Sequence, residues 1–333
     1  MTALEVVAED EWDARLDRLG LTDAYLRHGY LRAGAVLSPA EPVLLHLAGP
    51  GGDVVFAGLC RAEPTDLITP YGYGGPVTAG GDPPVLAFAA AYEDWCRARG
   101  AVSTFVLFHP LYANQELDLG FHVEPLAGTI AWDLAPEHDL LAGMHRHHRR
   151  MVRRALGAAA EVRVAQCTPG DADRLAGFRR LYAETMQRAG ADRFYLFDEA
   201  YWAALADGVD MVLVEVWQGS EQLAGVLGLT GAPWLHYHLG AGSDAGRSLG
   251  AGHLALYALA RWGQEQGYSR LHLGGGVGGR RDSLLLYKQR FAPGGEIPAA
   301  IGKAVHDAGR YRELTGQAQV SFDGFFPAYR APH

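Results

Sequence analysis

Arg146, Arg149, Arg150, Arg153 and Arg154 all fall within nine residues of the stretch MHRHHRRMVRRA. On a helix the first four lie at i, i+3, i+4 and i+7, hence on one face, while Met144, His148 and Met151 occupy another. Such a face suits a nucleic-acid backbone or a nucleotide diphosphate; the plainer alternative is a solvated helix paired with some of the chain's 38 acids. A second anion site is offered by RSLGAG, where Arg247, Gly250 and Gly252 stand at a helix start whose backbone N–H groups can make a nest for phosphate. A third group lies in LHLGGGVGGRRDSLLLYKQRF, residues 271–291, where a glycine-rich turn leads into a helix carrying Asp282 and Lys288 around Leu284–Leu286. Carboxylate and ammonium groups so placed are the ingredients of proton transfer and charge stabilisation, or simply of a surface ion pair.

Tyrosines supply the remaining candidates. Tyr71 and Tyr73 in TPYGYGGP can stack or hydrogen-bond at a ligand cleft, or can merely pack a Gly/Pro turn. Tyr237 faces a cleft if His236 and His238 face the other side of its strand. Tyr195 and Tyr201 flank FDEA, either as ligand contacts or as core. His145, His147 and His148 are adjacent rather than at ligand spacing, so no metal is expected.

These groups are positioned by a regular succession of elements. From Glu161, EVRVAQC alternates as a short strand, TPGDAD starts a helix over 172–189, and FDEAYWAALADG follows with Asp198 as its cap. The strands MVLVEVW, QLAGVLGLT and WLHYHLG then form an antiparallel meander, separated by QGSE and GAP. A glycine-bearing loop, SDAGRSLGAG, precedes a helix with Ala255, Ala258, Leu259 and Trp262 on one stripe, and Tyr268–Leu273 is the next strand. The first half repeats part of this order: VLLHLAG and VVFAGLCRA around PGGD, a helix over Val85–Arg99 and a strand over Ser103–Phe108. Trp95 and Gly100 in one half match Trp262 and Gly267 in the other, which favours an internal duplication.

Bulk properties narrow the classes. A chain of 333 residues with 49% hydrophobic residues holds two cores. Its net charge of −9 argues against coating nucleic acid by bulk electrostatics, and DNA is not expected as a partner. The acidic amino terminus lacks a signal-peptide pattern and no stretch matches a membrane span, so a cytoplasmic protein is expected. Cys60, Cys96 and Cys167 have no paired spacing and read as small core residues.

The element order resembles the GNAT acyltransferase fold. The glycine turn followed by D-S-L-x-x-x-K-x-x-F, together with TPYGYGGP, LFHPLYANQ and LHYHLGAGS in the same order, resembles the FemABX aminoacyltransferases from Tyr25 to Phe291. The resemblance implies an α/β fold with mixed sheets and two GNAT-like domains in tandem, with expected bounds 1–140 and 141–309 and a tail, 310–333, packed on the first domain. It implies an N-acyltransferase in which an amine attacks an activated ester to form an amide. Lys288, preceded by the aromatic Tyr287, takes the family's place of a cation near the reacting ester or the acceptor phosphate. Asp282 is the nominated base, with substrate-assisted proton transfer equally open. Tyr71, Tyr73, Tyr195, Tyr201 and Tyr237 would bind the acceptor.

Two donors are in tension. The resemblance and the arginine helix favour aminoacyl-tRNA, passed to a small-molecule, natural-product or peptidoglycan-precursor amine. RSLGAG fits the Q/R-x-x-G-x-G/A loop with which GNAT enzymes hold acyl-CoA, a loop that typical FemABX relatives lack. A non-catalytic amine-binding relative is the third possibility. No permanently bound cofactor is expected.

Overall fold

The computed structural model describes residues 3–158 and 160–331. The chain divides into two compact units, the first Met1–Leu126 with Pro298–His333 and the second Ala127–Ile297.

The first unit is built on an eight-stranded sheet. Its strands are β1 (Glu5–Val6), β2 (Ala40–Ala48), β3 (Gly51–Arg61), β4 (Asp66–Ile68), β5 (Gly75–Asp82), β6 (Ser103–Leu107), β7 (His122–Pro125) and β15 (Ala300–Val305). The order is β1-β2-β3-β4-β6-β15-β7, with β5 also paired to β3. Helices α1 (Trp12–Leu19), α2 (His28–Leu37) and α3 (Val85–Ala98) belong to the same unit. Phe56, Phe88, Tyr92, Cys96, Val106 and Phe108 form one of its apolar clusters.

The second unit carries a seven-stranded sheet in the order β14-β8-β13-β12-β11-β10-β9. These are β8 (Thr129–Asp133), β9 (Glu161–Cys167), β10 (Met211–Gln218), β11 (Glu221–Gly231), β12 (Trp234–Gly242), β13 (Arg270–Gly274) and β14 (Glu296–Ile297). Strands β9 to β12 pair antiparallel, as the alternation and turns require, and β12 meets β13 in parallel. Its helices are α4 (Leu140–Gly143), α5 (Arg146–Gly157), α6 (Ala176–Ala189), α7 (Glu199–Gly208), α8 (Asp244–Leu249), α9 (Ala251–Glu265) and α10 (Ser283–Gln289). Asp198 caps α7 through the Tyr201 N–H, as its position before the helix suggests.

Three features differ from the sequence reading. Strand β8 was expected to close the first domain, but it pairs with β13 and β14 of the second sheet, so the second unit begins at Ala127. Conversely β15 pairs with β6 and β7, which returns the chain to the first sheet from Pro298 rather than from 310. The third is local: part of SDAGRSLGAG is the short helix α8, whose cap Ser243 accepts from the Gly246 N–H. The segment after 309 is partly helical as well, with α11 (Ala308–Thr315), and Arg330 near its end binds Asp66 in the same unit.

The repeated Trp/Gly pattern corresponds to repeated geometry. After α3, the Gly100 N–H donates to Arg97 O and the Ala101 N–H to Cys96 O; after α9, the Gly267 N–H donates to Gln264 O and the Tyr268 N–H to Gly263 O. Both glycines have positive φ, 66° and 83°, so each half ends its helix with the same left-handed cap. Among the described residues no helix is long and apolar enough to cross a membrane.

Candidate active site

In the second unit, β12 and β13 are paired from Trp234–Arg270 to His236–His272 and separate beyond. A bulge on β12 inserts His238 between the pairs Gly228–Tyr237 and Leu227–Leu239. Bulges re-aim the side chains beside them. Tyr237 borders a cavity of about 570 Å³. Gly225 and Val226 of β11, Gly240–Gly242 of β12, Thr185 and Arg188 of α6, and His253 and Leu256 of α9 form its other walls, with Tyr287 of α10.

Three residues from RSLGAG line the same cavity: Arg247, Gly250 and Gly252. Arg247 lies on α8 and pairs with Asp244 at 3.4 Å, so the motif presents a helical turn rather than an open loop. Gly250 ends α8 and starts α9 with φ +89°, and a Cβ there would stand 2.8 Å from the Met151 carbonyl oxygen. The arginine helix α5 is therefore packed directly against the cavity wall at Gly250.

On α5, His148, Val152 and Ala155 are buried against the core, leaving Arg146, Arg150, Arg153 and Arg154 exposed and Arg149 half-buried. Arg149 donates to the Ala142 carbonyl at 2.7 Å and Arg150 reaches His147 Nδ1 at 3.3 Å. None of the five makes an ion pair among the described residues. The ion pairs with surface acids that the plainer sequence reading required are absent among the described residues.

Lys288 is only 7% exposed. Its Nζ donates to the Gly275 carbonyl at 2.7 Å and stands 5.6 Å from the centroid of the Tyr237 ring. Burial pushes its pKa down to about 8, with the Asp282 charge pulling the other way. Burial also pushes Tyr237 up to about 12. The glycine turn thus delivers a carbonyl oxygen to the ammonium and the strand delivers an aromatic face.

Asp282 has a different position from the one a base needs. It caps α10, accepting the Leu285 N–H at 2.9 Å, and also binds the Val277 N–H at 2.9 Å across the glycine turn. Slight desolvation pushes its carboxyl up, but these backbone N–H bonds outweigh it and hold the pKa below the usual value. A cap predicts a clear outcome. Asp282→Asn, which keeps an accepting oxygen, should retain activity, whereas Asp282→Ala should lower stability by about 1 kcal/mol. Urea unfolding and turnover measured side by side check this; an inactive but stable Asn variant would restore the base.

The other tyrosines lie elsewhere. Tyr201 is buried and meets His238 Nε2 at 3.0 Å, and the Tyr195 carbonyl accepts from the Tyr182 hydroxyl; neither lines the cavity. Tyr71 and Tyr73 belong to the first unit, where Tyr30 donates to the Tyr71 carbonyl and Tyr73 packs edge-on to Tyr25. The sequence reading missed Thr185, Arg188, Val226, His253 and Leu256. His253 directly follows RSLGAG; the others carry no local signal beyond amphipathic spacing.

An acetyltransferase (GNAT) domain model matches residues 143–282. No curated protein matches the chain. Among solved structures, FemX is 17% identical over 94% of this chain and 100% of its own, with a TM-score of 0.68. L-PGS from Bacillus licheniformis is 14% identical over 90% of this chain and 92% of its own, with a TM-score of 0.57. A tandem GNAT protein from the clavulanic acid biosynthesis pathway is 12% identical over 92% and 99%, with a TM-score of 0.53. At these identities the likeness is one of fold: mixed α/β with two GNAT-like halves in tandem, as in the tandem GNAT protein.

Proposed function

We propose that the protein is an N-acyltransferase that moves an aminoacyl group from charged tRNA to the amine of a small molecule or peptidoglycan precursor. The observation that carries this reading is the arginine face of α5, which pairs with no acid among the described residues and is packed at Gly250 against the cavity wall. A donor whose acyl end enters the cavity can lay its phosphates along that face. The FemX-like fold supports the same reading.

In the reaction the acceptor nitrogen attacks the ester carbonyl, the C–O bond to the donor breaks, and the ribose hydroxyl leaves with a proton. Lys288 does not itself line the cavity; its positive charge, 5.6 Å from the ring of the cavity residue Tyr237, acts from behind that wall on the oxyanion that develops. The cavity holds ester and amine together, which accounts for a large part of the rate without any further group. The proton passes to the leaving hydroxyl directly or through water, since Asp282 is engaged as a cap.

One observation favours acyl-CoA instead: Arg247, Gly250 and Gly252 lie at the cavity, where a pyrophosphate would sit. A reaction containing tRNA, ATP, a synthetase, an amino acid and amine acceptors separates the two. Amide formation that stops when ribonuclease is added before charging is expected. Amide formation from acetyl-CoA without tRNA would overturn the tRNA reading, and ligand binding without turnover from either donor would reduce the protein to an amine-binding relative.

A further inference from the structure

Where α5 and α9 pack together, three histidines meet that the proposed transfer does not use. His147 and His148 come from α5 and His253 from α9, and each offers a ring nitrogen within 4.8 Å of the others. The rings of His148 and His253 are 4.4 Å apart, centroid to centroid, and those of His147 and His253 6.1 Å. The tautomer of His148 follows from its partner. Its Nε2 lies 3.0 Å from the Tyr287 carbonyl oxygen, which only accepts, so Nε2 carries the proton. Nδ1 is then a bare lone pair, buried without a hydrogen-bond partner among the described residues, on a residue that is 1% exposed. Left alone, such a group costs about 1–3 kcal/mol.

We propose that His147, His148 and His253 bind a divalent transition-metal ion of the zinc type. An imidazole whose one N–H is held by a backbone carbonyl while its other nitrogen lies bare is arranged as metal-ligating histidines are. All-imidazole donors select zinc, nickel or copper over magnesium or calcium. Three protein ligands leave a coordination position for water or for a group in the cavity that His253 borders. The adjacent pair His147–His148 lacks ligand spacing in sequence, and only the packing of α9 on α5 supplies the third ring.

The surroundings fix the sign of a salt effect. Arg150 touches His147, and the charge of Arg290 acts on His148, so a cation here is repelled by its neighbours. Salt screens that repulsion. Affinity should rise with ionic strength, whereas an ion held by surface carboxylates loses affinity.

The test uses the full chain stripped with a chelator and titrated with Co²⁺, followed by visible absorption, with Zn²⁺ as competitor. A single equivalent with ligand-field bands, displaced by Zn²⁺ and tighter at higher salt, is expected. His253→Gln should weaken binding by at least about 100-fold, since loss of even an outer partner of a ligand costs 10–100-fold. The metal-free His253→Gln protein should keep its thermal stability, which matters because His148→Ala can fail to fold. No stoichiometric uptake, unchanged affinity in His253→Gln, or affinity that falls with salt would overturn the site. The readout needs no acyl donor, so it stands or falls apart from the tRNA proposal.

Discussion

Replacing Lys288 with methionine is expected to lower turnover about 10²–10³-fold while leaving the protein as stable as before or more so. The expectation follows from how the side chain is held. Its ammonium is buried with one carbonyl partner and an aromatic face, and it makes no ion pair among the described residues. Burial brings its pKa from 10.5 to about 8. Between those values the unfolded chain binds more protons, so stability rises with pH across this window; below about 8 both states are protonated and the burial cost is fully present. That cost is about 3 kcal/mol at neutral pH. Methionine keeps the apolar stem and removes the charge, so the variant escapes the cost but loses the field at the oxyanion. The ratio of wild-type to variant rates should shrink as pH rises through about 8, because the wild-type ammonium is then lost; taking the ratio cancels titration of the amine acceptor. Equal turnover in the two proteins would remove Lys288 from the mechanism. A less stable, inactive variant would assign it to packing.

What the sequence disclosed depended on whether the cause was local. The meander over β10–β12 and the caps at Asp198, Gly100 and Gly267 are set by alternation, turn residues and left-handed glycines, all readable within a few positions. Sheet membership is not local. Nothing in GTIAWDLA says that Ile130 and Ala131 pair with Gly274 and His272, and this one pairing moves the start of the second unit to Ala127. The site divides in the same way. Lys288 and Tyr237 were nominated from a family resemblance and the structure places them 5.6 Å apart, charge to ring. Asp282 illustrates a competing signal: an acid directly before Ser-Leu-Leu-Leu is also a helix cap, and the cap geometry is what forms. The cavity walls from α6 and β11 face inward through packing and carry no sequence mark.

Exchanging Arg150 and Arg153 for glutamate is the change expected to weaken tRNA most. Both are exposed on α5, and among the described residues neither is tied to an acid whose release would confuse the result. Arg149 is left in place because it holds the Ala142 carbonyl. Each lost phosphate contact should lower the slope of log affinity against log salt by about 1. Two together should cost about 100-fold in affinity at low salt, at about 1.4 kcal/mol each. Filter binding of charged tRNA across a salt series measures both quantities. A short probe carrying only the terminal aminoacyl-adenosine should bind the variant as it binds the wild type, because such a probe lacks the backbone phosphates that the arginine face would hold. That pair of results separates the arginine face from the cavity: loss for tRNA with retention for the short probe places the phosphates on α5. Parallel salt slopes for the two proteins would instead make α5 a solvated helix and shift the donor's phosphates to Arg247, Gly250 and Gly252, the arrangement an acyl-CoA would use.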